Sequence, residues 1–279
     1  MKGYRLGLYE KSMPNSLSLR EKLQAAKAAG FDSMEISIDE TPEKLERLSF
    51  SAQQRQDIRR AIFEVGLPID TMCLSGHRKY PLGSLDDATR ERGLEIFRQA
   101  VDFAHDVGIR LIQLAGYDVY YEPSNAQTRE RFEEYLRKGV EYASMQGVLL
   151  GFETMETPFM DTVFKAMQYV ERINSPYLGV YPDLGNLTNA CRLYNKNVQE
   201  ELALGAGHLF SMHIKETEEG KYRDMRFGQG KVHFAEGIRT ARMLGVCLFV
   251  TECWQDSEEW LDVNKEVNRF IRSKFEKDL

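Results

Sequence analysis

Glu153, Asp183, His213 and Glu252 are the residues of this 279-residue chain whose types and spacing could do chemistry together. Their numbers step by 30, 30 and 39, each about the length of one strand and one helix. Each ends or sits within a short apolar run: VLLGFE, LGVYPD, LFSMHI and VCLFVTE. Three carboxylates and one imidazole suit a divalent cation of intermediate hardness, namely manganese, magnesium, cobalt or zinc. Without a metal, carboxylates brought this close would repel and one would take up a proton. Any one of the four alone reads as an ordinary polar residue at a strand end. Four in register on consecutive strands read as a site.

Such a set needs strands that deliver one residue each to a common rim. Eight strand candidates are present: YRLGLY (4–9), SMEISI (33–38), IDTMCL (69–74), LIQLA (111–115), VLLGFE (148–153), LGVYPD (178–183), LFSMHI (209–214) and VCLFVTE (246–252). Between them lie amphipathic stretches such as LREKLQAAKAA and EIFRQAVDFAHDV, with apolar residues three and four apart. Glycine precedes five of the strands, in AAGFDS, EVGLPI, DVGIRL, MQGVLL and MLGVCL, where it supplies the left-handed cap that ends a helix. The recurring unit of helix, glycine and strand predicts a single (β/α)8 TIM-barrel domain over residues 1–279, with functional residues at the C-terminal ends of its strands. A doubly wound open sheet is the competing architecture, but no GxGxxG follows the first strand, where a dinucleotide would need it.

Composition narrows the chemistry further. Hydrophobic residues make up 42% and aromatic residues 11%, enough for a substantial core. A formal charge of −6 and a pI near 5.6 leave no basic stripe for a nucleic acid, so a small molecule is the expected partner. The opening MKGYRLGLYEK lacks the apolar stretch of a secretory signal, and no apolar run approaches the ~18 residues of a membrane span. Cys73, Cys191, Cys247 and Cys253 form no CxxC pair and read as reduced thiols of a cytoplasmic protein.

The segments LGLYEK, MEISIDET, MCLSGHRKYPLGS, DVGIRLIQLAGYDVYYE, YPDLGNL and FGQGKVHF resemble the L-xylulose-5-phosphate (L-ribulose-5-phosphate) 3-epimerases of the xylose-isomerase-like barrels, and the resemblance spans nearly the whole chain. It implies that Glu153, Asp183, His213 and Glu252 hold one divalent metal ion and that Glu153 and Glu252 exchange protons with the substrate. It also implies a cytoplasmic homodimer acting in L-ascorbate degradation. Inverting C3 of a ketose requires removing a proton beside the carbonyl and returning one on the opposite face, so two bases on opposite sides of the sugar are needed. Related epimerases of unphosphorylated ketoses carry a histidine three residues beyond the matching aspartate, whereas this chain has Asn186, which favours a phosphorylated substrate.

Second-tier residues are expected to bind that substrate. His77, Arg78 and Lys79 follow the third strand as a basic cluster, and His77, nearest the strand end, is the expected pocket member. Lys215 shares the side of His213 and reads either as a substrate contact or as an ion-pair partner of a rim acid. Gln113 is expected to bond a hydroxyl, and Glu35 to orient a ligand or bond across the barrel. FGQG (227–230) offers backbone amides compatible with a phosphate, and GYDVYYEPS (116–124) an aromatic wall or a subunit contact. The competing functions are a hexulose-6-phosphate aldose-ketose isomerase and a non-catalytic sugar-phosphate binding protein on the same scaffold.

Overall fold

Eight parallel strands alternate with helices in the computed structural model, which describes residues 3–253 and 258–275. The strands are β1 (Arg5–Tyr9), β2 (Ser33–Ile38), β3 (Ile69–Leu74), β4 (Leu111–Leu114), β5 (Leu149–Glu153), β6 (Leu178–Tyr181), β7 (Met212–Ile214) and β8 (Leu248–Thr251). The helices are α1 (Leu19–Ala28), α2 (Pro42–Glu46), α3 (Ala52–Val65), α4 (Asp87–Val107), α5 (Ala126–Gln146), α6 (Val163–Ile173), α7 (Leu184–Leu193), α8 (Val198–Leu204), α9 (Phe234–Met243) and α10 (Trp260–Phe275).

Side-chain chemistry sets where these helices begin and end. Ser18, Ser51 and Asn125 form reciprocal capping boxes with Glu21, Gln54 and Thr128, satisfying amides that have no partner inside the helix. Gly66, Gly108 and Gly147 close α3, α4 and α5 with φ of 68°, 95° and 68°, a conformation that a Cβ disfavours. The glycine punctuation therefore does what its sequence position predicts.

The strands pair in the order β6-β5-β4-β3-β2-β1-β8-β7. The remaining seam, between β6 and β7, is joined only by isolated bridges, Val180 with Leu209 and Asp183 with His213. The barrel is thus nearly closed, and both seam strands are shorter than their apolar runs suggest. On the β6 side the cause is local: Pro182 has no N–H to extend the ladder, and the Asp183 amide goes to Thr154 Oγ1 at 2.9 Å while its side chain caps α7.

Apolar side chains on the outer face of the barrel, among them Phe152 and Phe249, pack with Phe97 and Phe103 of α4 and the other helices in one large cluster. Each such fully buried side chain contributes roughly 1.5–3 kcal/mol relative to exposure. A smaller group, Tyr9, Cys73, Leu111, Tyr181 and Val250, is separate from it. The register places Tyr9 beside Glu35, Cys73 beside Gln113 and His213 beside Val250, so these residues share the interior face. The barrel lumen is therefore polar and aromatic where it approaches the site.

Glu10 anchors the first loop. Its buried carboxylate accepts from the Ser37 amide at 2.6 Å and meets Lys22 at 3.2 Å, Lys44 at 3.0 Å and Arg47. Burial works to raise its pKa, and these three cations overcome it and hold it well below the carboxylate range. The loop so fixed carries Lys11, which pairs with Asp39 at 2.7 Å and faces the cleft.

Candidate metal centre and the cleft above it

Each member of the predicted set reaches the rim by its own local route. Glu153 is the last residue of β5, His213 is central in β7, and Glu252 directly follows β8, its amide bonded to the Ile214 carbonyl at 2.9 Å. Asp183 is the N-cap of α7, its Oδ1 accepting the Asn186 amide at 2.7 Å. One ligand atom from each of the four lies within 4.8 Å of the others, and all four residues are buried. His213 Nδ1 lies 3.1 Å from Glu252 Oε2, 3.7 Å from Glu153 Oε1 and 3.9 Å from Asp183 Oδ2.

This donor set fits a divalent cation. Three buried carboxylates around one nitrogen carry more negative charge than Lys215 offsets from 3.3 Å off Asp183 Oδ2 and 3.7 Å off Glu252 Oε2. Asp183 Oδ2 itself is buried without a hydrogen bond. Burial raises the Glu153 pKa to about 7 against the pull of His213, and burial likewise raises that of Asp183 against Lys215. Burial disfavours the His213 imidazolium, but Glu35 first, then Tyr181 and the site glutamates, hold its pKa well above the ordinary value. Lys215 is treated the same way, burial lowering and Asp183 raising it. A site this eager for positive charge is one a metal ion could fill.

A narrow cleft above the four residues is lined in part by Tyr9, Lys11, Arg78, Asn186, Lys215 and Arg223. Arg78 lies 4.7 Å over the Tyr120 ring, and its Nε is buried without a hydrogen bond. Arg223 reaches Glu156 at 3.4 Å, linking the loop after β7 to the loop after β5. Asn186 gives its Nδ2–H to the Thr154 carbonyl at 2.8 Å, while its Oδ1 is buried without a donor. The cleft therefore has a carboxylate-rich floor and cations on its walls.

Residues 23–274 match the model of the family described as xylose isomerase-like TIM barrel. The chain belongs to that family. An L-ribulose-5-phosphate 3-epimerase, UlaE, of Escherichia coli is 46% identical over 255 residues, covering 91% of this chain and 88% of the relative. The corresponding Escherichia fergusonii protein is 45% identical over the same lengths. Among solved structures, an L-ribulose 3-epimerase superposes with a TM-score of 0.81 at 19% identity, covering 98% of this chain and 95% of the other. The D-allulose 3-epimerase of a Methylomonas species gives 0.79 at 17% identity, covering 97% and 98%. These last two share the fold with this chain.

Within the family barrel, the predicted second-tier residues divide. Lys215 enters the cleft and also pairs with the floor carboxylates. Gln113 is fully buried, its Nε2 3.0 Å from His213 Nδ1 and 3.3 Å from Nε2, so it packs on the histidine from below the cleft. His77 departs from expectation. It faces away from the lining, bonded through Nε2 to the Gly93 carbonyl at 3.1 Å and packed 5.6 Å from Phe97, with burial pulling its pKa down to about 4. Its neighbour Arg78 takes the place at the wall.

Two of the FGQG amides are already bonded, Gly228 to the Glu216 carboxylate and Gln229 to the Arg226 carbonyl. Glu216 accepts from Gly228 at 2.7 Å, Val232 at 3.2 Å and its own neighbour Thr217 at 3.0 Å, so an internal carboxylate sits where an anion would bind. The segment 116–124 does not line the cleft but backs it: Tyr117 is buried and Tyr120 supports Arg78, while Tyr121 is 67% exposed. Arg223 and Lys11 carried no signal in the sequence, since isolated surface cations in loops are common.

Proposed function

We propose that the protein is a metal-dependent 3-epimerase that interconverts L-ribulose 5-phosphate and L-xylulose 5-phosphate. The observation that carries this reading is the placing of two glutamates, Glu153 and Glu252, 3.7 and 3.1 Å from His213 Nδ1 in one buried cluster with Asp183. Glu153, Asp183, His213 and Glu252 would hold the metal ion, which supplies Lewis-acid stabilisation of the negative charge developing on the substrate when a proton leaves C3. Manganese, magnesium, cobalt and zinc all suit the donors.

The chain's own residues perform the rest. One glutamate accepts the C3 proton from one face of the sugar and the other donates to C3 from the opposite face, with their roles exchanged in the reverse direction. Burial raises the Glu153 pKa and a bound cation lowers it, so the two together set how readily this carboxylate accepts and donates a proton. Lys215 and Asn186 Oδ1 orient substrate oxygens. Arg78, a cation on the cleft wall, receives the phosphate through a charge-assisted hydrogen bond.

The same reading makes the enzyme a cytoplasmic homodimer of L-ascorbate degradation, taking a small sugar phosphate and neither nucleic acid nor membrane. The four cysteines are free, three of them buried, and no helix among the described residues is long and apolar enough to cross a membrane. Steady-state kinetics of the metal-loaded enzyme test the substrate assignment. The highest kcat/KM is expected with L-ribulose 5-phosphate, above L-ribulose and above hexulose 6-phosphates, and a preference for either of the others would overturn it.

A further inference from the structure

We infer that Glu35 is a positioning residue for His213, holding the Nε2 proton so that Nδ1 is the nitrogen offered to a metal ion in the carboxylate cluster. Glu35 lies in β2 and is fully buried. Its Oε1 is 2.6 Å from His213 Nε2, across the barrel. Its Oε2 accepts from Thr71 Oγ1 at 2.6 Å and from Tyr181 OH at 3.0 Å.

Two donors, Thr71 and Tyr181, thus fix the carboxylate, and an ionised carboxylate can only accept from the ring. That places the proton on Nε2 and leaves Nδ1 to the cluster. Tyr181 and Tyr9, with ring centroids 5.0 and 5.8 Å from that of His213, restrict the ring's rotation. Gln113 stands almost equally far from both ring nitrogens, so it does not select between them. Metal-binding histidines commonly depend on such an outer acceptor, and its removal typically costs 10–100-fold in affinity. The inference rests on the metal reading proposed above, and its test separates the two.

The first readout needs no variant. In zinc-loaded wild-type protein labelled with 15N-histidine, long-range 1H–15N correlation should show His213 protonated at Nε2, with Nδ1 displaced by the metal. A proton on Nδ1 would overturn the inference. The second is competition for zinc against a chromophoric chelator, with melting of the metal-free proteins as the folding control. Glu35→Gln, which keeps an acceptor without the charge, should weaken binding about 10-fold, and Glu35→Ala up to about 100-fold. Zinc held as tightly by both variants as by wild type would remove the role of Glu35 and leave the metal centre standing. A wild-type protein that takes up no metal would overturn both readings.

Discussion

Asp183 divides its carboxylate between two tasks, Oδ1 accepting the Asn186 amide at 2.7 Å to cap α7 while Oδ2 is turned into the cluster without a hydrogen bond. One residue thereby couples the start of a helix to the geometry of the site. Asparagine caps a helix as well as aspartate does, but it cannot present an anionic oxygen. Asp183→Asn should therefore melt near wild type without metal, yet bind it far more weakly. Asp183→Ala should lose metal binding and about 0.5–2 kcal/mol of metal-free stability as well. Paired melting curves and metal titrations read both effects, and equal metal affinity in Asp183→Asn would remove Asp183 from the ligand set.

Arg78 is the proposed phosphate partner at the cleft wall. Replacement by methionine removes a charge-assisted hydrogen bond of roughly 1.5–3 kcal/mol, so KM for L-ribulose 5-phosphate should rise about 10–100-fold. KM for unphosphorylated L-ribulose should move much less. Parallel shifts for both sugars would place the phosphate elsewhere.

His77 supplies a pH dependence unrelated to catalysis. Its folded pKa is depressed from 6.5 to about 4 by burial, so the unfolded chain takes up a proton first as pH falls. Its contribution to stability is complete above about pH 6.5 and is lost progressively down to about 4, by up to ~3 kcal/mol. Urea unfolding of wild type and His77→Gln over that window should show the shallower slope in the variant. Parallel slopes would mean that His77 is not buried neutral.

Glu10 tests the anchoring of the first loop. Glu10→Ala leaves Lys22, Lys44 and Arg47 facing one another around a vacated anion site, and removing one partner of a buried ionic cluster costs about 3–5 kcal/mol. A loss below ~1 kcal/mol in equilibrium unfolding would show that the cations reach water instead.

The barrel and the four-residue cluster were legible in the sequence for a shared reason: each βα unit announces itself by an apolar run and an amphipathic stretch, five of the strands with a capping glycine before them, and each of four runs carries its acid or imidazole toward the same end. The end of β6 was not, because Pro182 and the capping by Asp183 act through backbone geometry that an apolar run does not encode. His77 and Arg78 exchanged places for a related reason. Gly76–Arg78 is a 3-10 turn, in which successive side chains diverge by about 120°, so the phase of one turn decides which of them meets the cleft. The capture of the Gly228 amide by Glu216 spans 12 residues and has no local signature.

The most direct test of the central claim is proton NMR of L-ribulose 5-phosphate incubated in D2O with the metal-loaded enzyme. The account predicts deuterium at C3 together with the appearance of L-xylulose 5-phosphate, and loss of both in Glu153→Gln and Glu252→Gln, by about 10²–10⁴-fold. Deuterium at C1 would instead show an aldose-ketose isomerase, and no exchange under metal saturation would contradict proton transfer by these two glutamates.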